Sequence, residues 1–162
     1  MSERADIYVV CLQEIVQLNA TQIMSSDPEK RQLWEFVFLG LLEEYHGAGK
    51  FVTLVSNQLV GTSLMIFINS DMVDETRNVE ICSIKTGLGG MAGNKGSVAV
   101  KFELSGNTFC VIGSHFTAGK QLSLFTKLMI LGQNASAERL KEYFYVLQEL
   151  SFSKGKRIFP NE

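Results

Sequence analysis

A glycine-dense segment between two strand patterns is the feature that most limits how this chain can fold. Five of the twelve residues from Lys85 to Gly96 are glycine, and the flanking ranges Val79–Lys85 and Ser97–Leu104 are rich in strand-forming residues. A dinucleotide-binding glycine loop requires a helix directly afterwards, and a Walker loop requires Ser or Thr after its lysine, whereas Gly96 follows Lys95 here. The segment therefore predicts a long connection between two strands of a sheet.

The remaining hydrophobic patterns predict further strands with helices around them. The predicted strands are Ile7–Leu12, Phe51–Ser56, Leu59–Asn69 and Thr108–Ser114, and Gly106-Asn107 predicts a hairpin turn. A helix is expected to begin at Ser26-Asp27-Pro28-Glu29 and to end at Gly47, with an apolar face of Leu33, Trp34, Val37, Leu41 and Leu42. A second amphipathic helix is expected over 137–150. Several adjacent strands with flanking helices predict an α+β fold, built as a layered sandwich.

Composition and charge exclude several classes of protein. The chain has 162 residues, which favours a single domain, and a net charge of -2, which argues against a nucleic-acid-binding protein. Its first residues do not resemble a signal peptide, and no apolar run is long enough to span a bilayer. The three cysteines lie in apolar, strand-like surroundings, which predicts buried thiols in a reducing compartment. We therefore expect a cytoplasmic protein.

Four residues are candidates for chemistry on a phosphate group. Asn94 and Lys95 lie in the glycine-dense segment, where backbone N–H groups and an ammonium group favour an anion. His115 follows the next strand and provides a group that titrates near neutral pH. Glu14 follows the first strand, where a carboxylate suits Mg²⁺. The alternatives remain open that Glu14 begins a solvated helix, that the glycines serve only a turn, and that His115 is a structural residue.

The motifs that contain these residues resemble those of one enzyme family. Leu12–Val16, Thr86–Gly90, Gly93–Gly96 and Ser114–Phe116 resemble motifs of the inositol polyphosphate 5-phosphatases, particularly of the synaptojanin-like branch. The resemblance extends over almost the whole chain and keeps the order of the motifs. It implies the four-layer α/β sandwich of the DNase I-like endonuclease/exonuclease/phosphatase fold.

The resemblance also implies an activity and a role for each candidate residue. The expected reaction is Mg²⁺-dependent hydrolysis of the 5-phosphate of a phosphoinositide headgroup or a soluble inositol phosphate, by a protein peripheral to a membrane surface. Glu14 would be the metal ligand, and Asn94 and Lys95 would belong to the catalytic site. His115 would contact the phosphate to be removed, and Lys95 would bind substrate with it.

Some family motifs are not found within residues 1–162. The family has an asparagine-containing motif upstream of the region matched here and a catalytic aspartate motif downstream of it. We therefore expect residues 1–162 to be a central part of the catalytic domain, incomplete at both ends and inactive when isolated. The alternative is a non-catalytic phosphoinositide-binding or scaffold protein of the same fold. The apolar residues 121–132 interrupt the family spacing, which predicts an insertion there. The alternative is an apolar helix that contacts a membrane or a partner.

Overall fold

The computed structural model of the chain describes residues 5–17, 27–87, 89–118 and 135–152. In chain order the elements are β1 (Ile7–Leu12), α1 (Pro28–His46), β2 (Phe51–Leu59), β3 (Thr62–Asn69), a 3-10 helix (Ser70–Glu75), β4 (Thr76–Gly87), β5 (Ala92–Leu104), β6 (Asn107–His115) and α2 (Ala135–Glu149). The Asp27 side chain caps α1 by accepting a hydrogen bond from the backbone N–H of Glu29 at 3.1 Å, which fits the predicted helix start. The predicted insertion at 121–132 lies outside the described residues.

The strands form two three-stranded antiparallel sheets. The first sheet has the order β1-β3-β2 and the second the order β4-β5-β6. In the second sheet, Gly96 pairs with His115, so the glycine-dense segment lies beside the end of β6. This register brings the two motifs separated in sequence to one end of the molecule.

The two sheets pack face to face, and each carries a helix on its outer face. The core between the sheets consists of Val55, Leu59, Leu64, Ile66 and Ile68 from the first sheet and Val98, Val100, Phe102 and Leu104 from the second. On the outer face of the first sheet, Phe38, Leu39 and Leu42 of α1 pack against Phe51, Met65 and Phe67. On the outer face of the second sheet, Val146 and Leu150 pack against Ala99. This arrangement of helix, sheet, sheet and helix confirms the predicted four-layer α/β sandwich.

The face of α1 that packs against the first sheet differs from the apolar face predicted from the sequence. Leu33, Trp34, Val37 and Leu41 are exposed, whereas Phe38, Leu39 and Leu42 contact the first sheet. Because apolar side chains occur almost all round this helix, its sequence does not single out one face. Neither α-helix in the described ranges combines the length and the apolar character needed to cross a lipid bilayer.

Three further predictions need correction. The predicted strand Leu59–Asn69 is divided, because the chain turns at Val60 and Gly61 between β2 and β3. The sequence does not predict this turn, because its residue in the left-handed conformation is Val60, with φ +50°, and valine rarely adopts that conformation. The predicted loop between β4 and β5 is much shorter, since β5 already begins at Ala92. The prediction of buried thiols is wrong for Cys11 and Cys110, which are exposed on edge strands.

Candidate functional site

Three of the four candidate residues meet at one end of the sandwich. The Nζ atom of Lys95, on β5, lies 3.2 Å from Nε2 of His115, the last residue of β6. The Oε1 atom of Glu14, just beyond β1, lies 3.6 Å from the same nitrogen. The three side chains come from both sheets, so the site depends on the packing of the two sheets against each other.

The segment that carries Glu14 is held by hydrogen bonds to both sheets. The Gln13 side chain donates to the carbonyl oxygen of Ser114 at 2.9 Å, and the backbone N–H of Ile15 donates to the carbonyl of Gly61 at 3.1 Å. Residues 13–17 are not helical, and Glu14 has a φ of +57°, so the alternative that it begins a solvated helix is wrong. Its side chain is 62% exposed, which leaves the carboxylate accessible from solution.

His115 is held in its neutral form. Its side chain is 8% exposed, and burial lowers the pKa of the imidazole below its ordinary value. The Lys95 charge lowers this pKa further, whereas the carboxylates of Glu14 and Glu142 raise it. Because an ammonium group can only donate, the contact with Lys95 requires Nε2 to accept and the proton to lie on Nδ1.

The Asn94 side chain has surroundings different from those of the other three candidates. Its Oδ1 atom has no hydrogen-bond partner among the described residues, and a Cβ atom built on Gly87 would lie 2.5 Å from it. A glycine at position 87 therefore makes room for the Asn94 side chain. The structure places Asn94 against the end of β4 and brings only Glu14 and Lys95 to the imidazole.

Unsatisfied polar atoms concentrate at this end of the molecule. Five buried side-chain atoms lack a hydrogen-bond partner within the described ranges: Gln58 Oε1, Thr62 Oγ1, Ser63 Oγ, Asn94 Oδ1 and His115 Nδ1. Gln58, Thr62 and Ser63 flank the β2–β3 turn. Leu59, next to this turn, lies beneath Gly96, and Gly96 pairs with His115. Buried polar atoms of this kind normally bind water or a ligand.

The glycines of the central motif have structural reasons of their own. A Cβ atom at Gly93 would lie 2.7 Å from Cγ2 of Val60, and one at Gly96 would lie 2.1 Å from the carbonyl oxygen of Ile84. Gly89 and Gly90 have φ values of +66° and +93°, which a tight turn requires. The turn and the packing therefore account for these glycines, as the alternative interpretation expects. Within this segment, Lys95 is the residue that attracts an anion.

Sequence reasoning missed one polar residue close to the site. Glu142, on α2, accepts hydrogen bonds from Thr86 at the end of β4 and from Thr117, two residues after His115. On an amphipathic helix, a glutamate on the polar face is expected to be solvated. No local signal in the sequence distinguishes this carboxylate from its exposed neighbours.

The described residues offer a limited but suitable set of donors for a divalent cation. No group of three or more His, Cys, Asp or Glu side chains among them could hold a metal ion. Mg²⁺ is commonly held by one or two carboxylates together with substrate phosphates and water. The exposed Glu14 carboxylate fits this mode of binding, in which a phosphorylated substrate supplies further oxygen ligands.

Comparisons with known proteins agree with this architecture. The chain matches the endonuclease/exonuclease/phosphatase family 2 over residues 1–162. It is 42% identical over 98% of its length to inositol-1,4,5-trisphosphate 5-phosphatase 1 of Schizosaccharomyces pombe, and 34% identical over 99% to human synaptojanin-2. These matches cover 14% and 10% of the two relatives, so the chain spans only a small part of their length.

A solved structure extends the likeness to three dimensions. The inositol polyphosphate 5-phosphatase domain of SPsynaptojanin, in complex with inositol (1,4)-bisphosphate and calcium ion, matches 98% of this chain with a TM-score of 0.77 and 39% identity. The match covers 41% of that domain's chain. Together with the four-layer sandwich and the match over every residue, this likeness shows that the chain belongs to the endonuclease/exonuclease/phosphatase family.

Proposed function

We propose that this chain forms part of an inositol polyphosphate 5-phosphatase catalytic domain that hydrolyses the 5-position phosphate monoester of a phosphoinositide or a soluble inositol phosphate. The observation that carries the proposal is the convergence of Glu14, Lys95 and His115 at one imidazole nitrogen. In phosphate transfer, a cation can stabilise developing charge, an imidazole can transfer a proton, and a carboxylate can hold a metal ion. The names of the relatives support the choice of an inositol phosphate as substrate.

In this proposal, Lys95 and His115 exchange partners when substrate binds. Without substrate, the Lys95 ammonium donates to Nε2 of the neutral His115. A phosphate oxygen competes for that ammonium group, because a charged acceptor forms the stronger hydrogen bond. The negative charge of the phosphate then favours protonation of Nε2, which lets His115 donate a hydrogen bond to the group that is removed.

Glu14 and Asn94 have supporting roles in the proposal. Glu14 would hold Mg²⁺, which when bound acts as a Lewis acid on phosphate oxygens. The buried amide of Asn94 would fix the segment of β5 that carries Lys95, because its Oδ1 atom packs beside Gly87. The described residues supply one candidate metal ligand, so substrate oxygens and water would complete the coordination.

We place the protein in the cytoplasm, peripheral to membranes that contain phosphoinositides. The substrate class supports this placement, since the headgroup of a phosphoinositide is presented at a lipid surface. The net charge of -2 is unfavourable for nucleic-acid binding, which usually requires a basic surface.

The test compares two site variants with one control, in the 162-residue chain for binding and in a longer catalytic domain that contains it for hydrolysis. Binding of inositol 1,4-bisphosphate in the presence of Mg²⁺ or Ca²⁺ is measured by calorimetry, and phosphate release from inositol 1,4,5-trisphosphate is measured in parallel. Lys95→Ala and His115→Ala should weaken binding at least about 10-fold, because each removes a charged or hydrogen-bonding partner of the phosphate. Lys50→Ala, an exposed lysine near Asp71 at the other end of β3, should bind like the wild type.

The outcomes separate the proposed enzyme from its alternative. Hydrolysis that is lost in both site variants supports the 5-phosphatase. Binding without hydrolysis by the longer domain supports a non-catalytic phosphoinositide-binding protein of the same fold. If both site variants bind as tightly as Lys50→Ala, the proposed site is wrong.

A further inference from the structure

Glu142 connects α2 to two strand ends at the candidate site. Its Oε1 atom accepts hydrogen bonds from the hydroxyl groups of Thr86 at 3.1 Å and Thr117 at 2.7 Å. Its Oε2 atom accepts from the backbone N–H of Thr117 at 2.7 Å. A single carboxylate therefore receives three hydrogen bonds from two segments that are 31 residues apart in sequence.

Both segments lead directly to residues of the site. Thr117 follows His115 by two residues and lies beyond the end of β6, where strand pairing no longer fixes the backbone. Thr86 precedes Gly87, which pairs with Ala92 at the start of the strand that carries Asn94 and Lys95. Because both oxygens of Glu142 are used, a shift of the carboxylate would disturb the backbone beyond β6 and the end of β4 together.

The attachment of α2 does not depend on Glu142 alone. Val146 and Leu150 are buried against the second sheet and supply the apolar contact of the helix. Burial of these side chains attaches the helix to the sheet through a hydrophobic contact that Glu142 does not supply. The hydrogen bonds of the carboxylate add to this attachment and restrain the segments that contain Thr86 and Thr117.

We infer that Glu142 is a positioning residue that holds the backbone beyond His115 and thereby fixes the imidazole against Lys95. The importance of this restraint for catalysis rests on the proposed function, whereas the claim that Glu142 positions His115 does not. The carboxylate acts through Thr117 and Thr86, since neither of its oxygens contacts the imidazole among the described hydrogen bonds. Charge-assisted bonds of 2.7 Å are among the stronger hydrogen bonds in proteins, so the restraint on Thr117 is substantial.

The test measures His115 directly by NMR in the full 162-residue chain. The side-chain ¹H and ¹⁵N signals of His115 are recorded at one fixed pH for the wild type, Glu142→Gln and Glu149→Gln. Glu142→Gln removes the charge and replaces one of the two accepting oxygens by an NH2 donor. If the amide oxygen keeps the bond from the Thr117 N–H, the bonds of the Thr86 and Thr117 hydroxyl groups must reverse direction. Glu149→Gln removes the same charge from the same helix at an exposed position and serves as the control.

We expect Glu142→Gln to shift the His115 signals, because the backbone beyond β6 loses part of its hydrogen bonding to α2. The Lys95 and Glu14 charges that also face the imidazole are unchanged in both variants. Glu149→Gln should leave the signals in place. In a longer catalytic domain that contains the chain, kcat for inositol 1,4,5-trisphosphate should fall roughly 10-fold in Glu142→Gln, the lower end of the loss seen when an outer-shell hydrogen bond at a metal-dependent site is removed.

Two further variants keep the proposal falsifiable if Glu142→Gln does not fold. Thr117→Val removes only the hydroxyl bond of 2.7 Å beside His115, and Thr86→Val removes only the more distant bond of 3.1 Å. A larger shift of the His115 signals in Thr117→Val supports the inference. Signals that stay unchanged in Glu142→Gln, or in Thr117→Val if the first variant is unfolded, overturn it. Absence of hydrolysis by the longer wild-type domain would contradict the proposed function and leave the NMR result valid.

Discussion

Replacing Gly96 by alanine should destabilise the fold strongly. A Cβ atom at this position would lie 2.1 Å from the carbonyl oxygen of Ile84 and 2.7 Å from Cδ2 of Leu59. The first contact is with backbone of the paired strand β4, so a change of side-chain rotamer cannot relieve it. The φ of +151° adds backbone strain, because residues with a Cβ atom rarely adopt it.

The two effects set the expected magnitude. An unfavourable backbone conformation costs about 1–3 kcal/mol, and overpacking in a well-packed region costs another ~1–3 kcal/mol. The free energy of unfolding should therefore fall by roughly 2–6 kcal/mol, a large fraction of the ~5–15 kcal/mol of a typical domain. With a urea m value of about 2 kcal/mol/M, the unfolding midpoint should fall by roughly 1–3 M.

Gly40→Ala is the matched control for this measurement. Gly40 lies within α1, and a Cβ atom there would meet no atom within 4 Å. The substitution should stabilise the protein by ~0.5–1 kcal/mol, because alanine is the better helix former. Urea unfolding of wild type, Gly96→Ala and Gly40→Ala is followed by far-UV circular dichroism. A midpoint for Gly96→Ala within 0.2 M (about 0.4 kcal/mol at the assumed slope) of the wild type would refute the packing argument.

Two further predictions concern the imidazole and the outer core. Because burial and Lys95 hold the pKa of His115 below 6.5, the unfolded chain binds the proton first as the pH falls. The free energy of unfolding should therefore decrease as the pH falls below about 6.5, and His115→Gln should lose this component in urea titrations between pH 5 and 8. Phe67→Ala should cost about 3–5 kcal/mol, since Phe67 is fully buried beneath α1. Phe36→Ala, at a side chain that is 77% exposed, should stay within ~0.5 kcal/mol in the same thermal or urea assay.

Local sequence patterns were sufficient for most of the fold. Strand-forming residues and the Gly106-Asn107 turn predicted the β5–β6 hairpin, and that hairpin sets His115 opposite Gly96. The β2–β3 turn could not be predicted, because its Val60 carries no turn signal and tertiary contacts impose its conformation. The face of α1 that packs against the first sheet could not be predicted either, because the helix has apolar side chains on almost all of its faces.

The candidate site was predictable only in part. The pairing of Gly96 with His115 follows from local signals, but the approach of Glu14 crosses from one sheet to the other. No local pattern encodes a contact between sheets, so the family resemblance supplied that expectation. Glu142 had no signal of either kind, because its role depends on where α2 is placed against the strand ends.

The distribution of unsatisfied polar atoms explains why this end of the sandwich should respond to a ligand. Each buried polar atom without a partner costs about 1–3 kcal/mol, and the five found in the described ranges lie on the elements that form the site. At the other end of the first sheet, the side chain of Asn69 donates to Asp6, and the Ser70 hydroxyl donates to the carbonyl of Lys50. The amide oxygens of Gln58 and Asn94 only accept hydrogen bonds and pair with water, whereas the hydroxyl groups of Thr62 and Ser63 can donate to water or to an anion. On the proposed function, an inositol phosphate should therefore stabilise the native state, because a ligand that binds only the folded chain shifts the unfolding equilibrium.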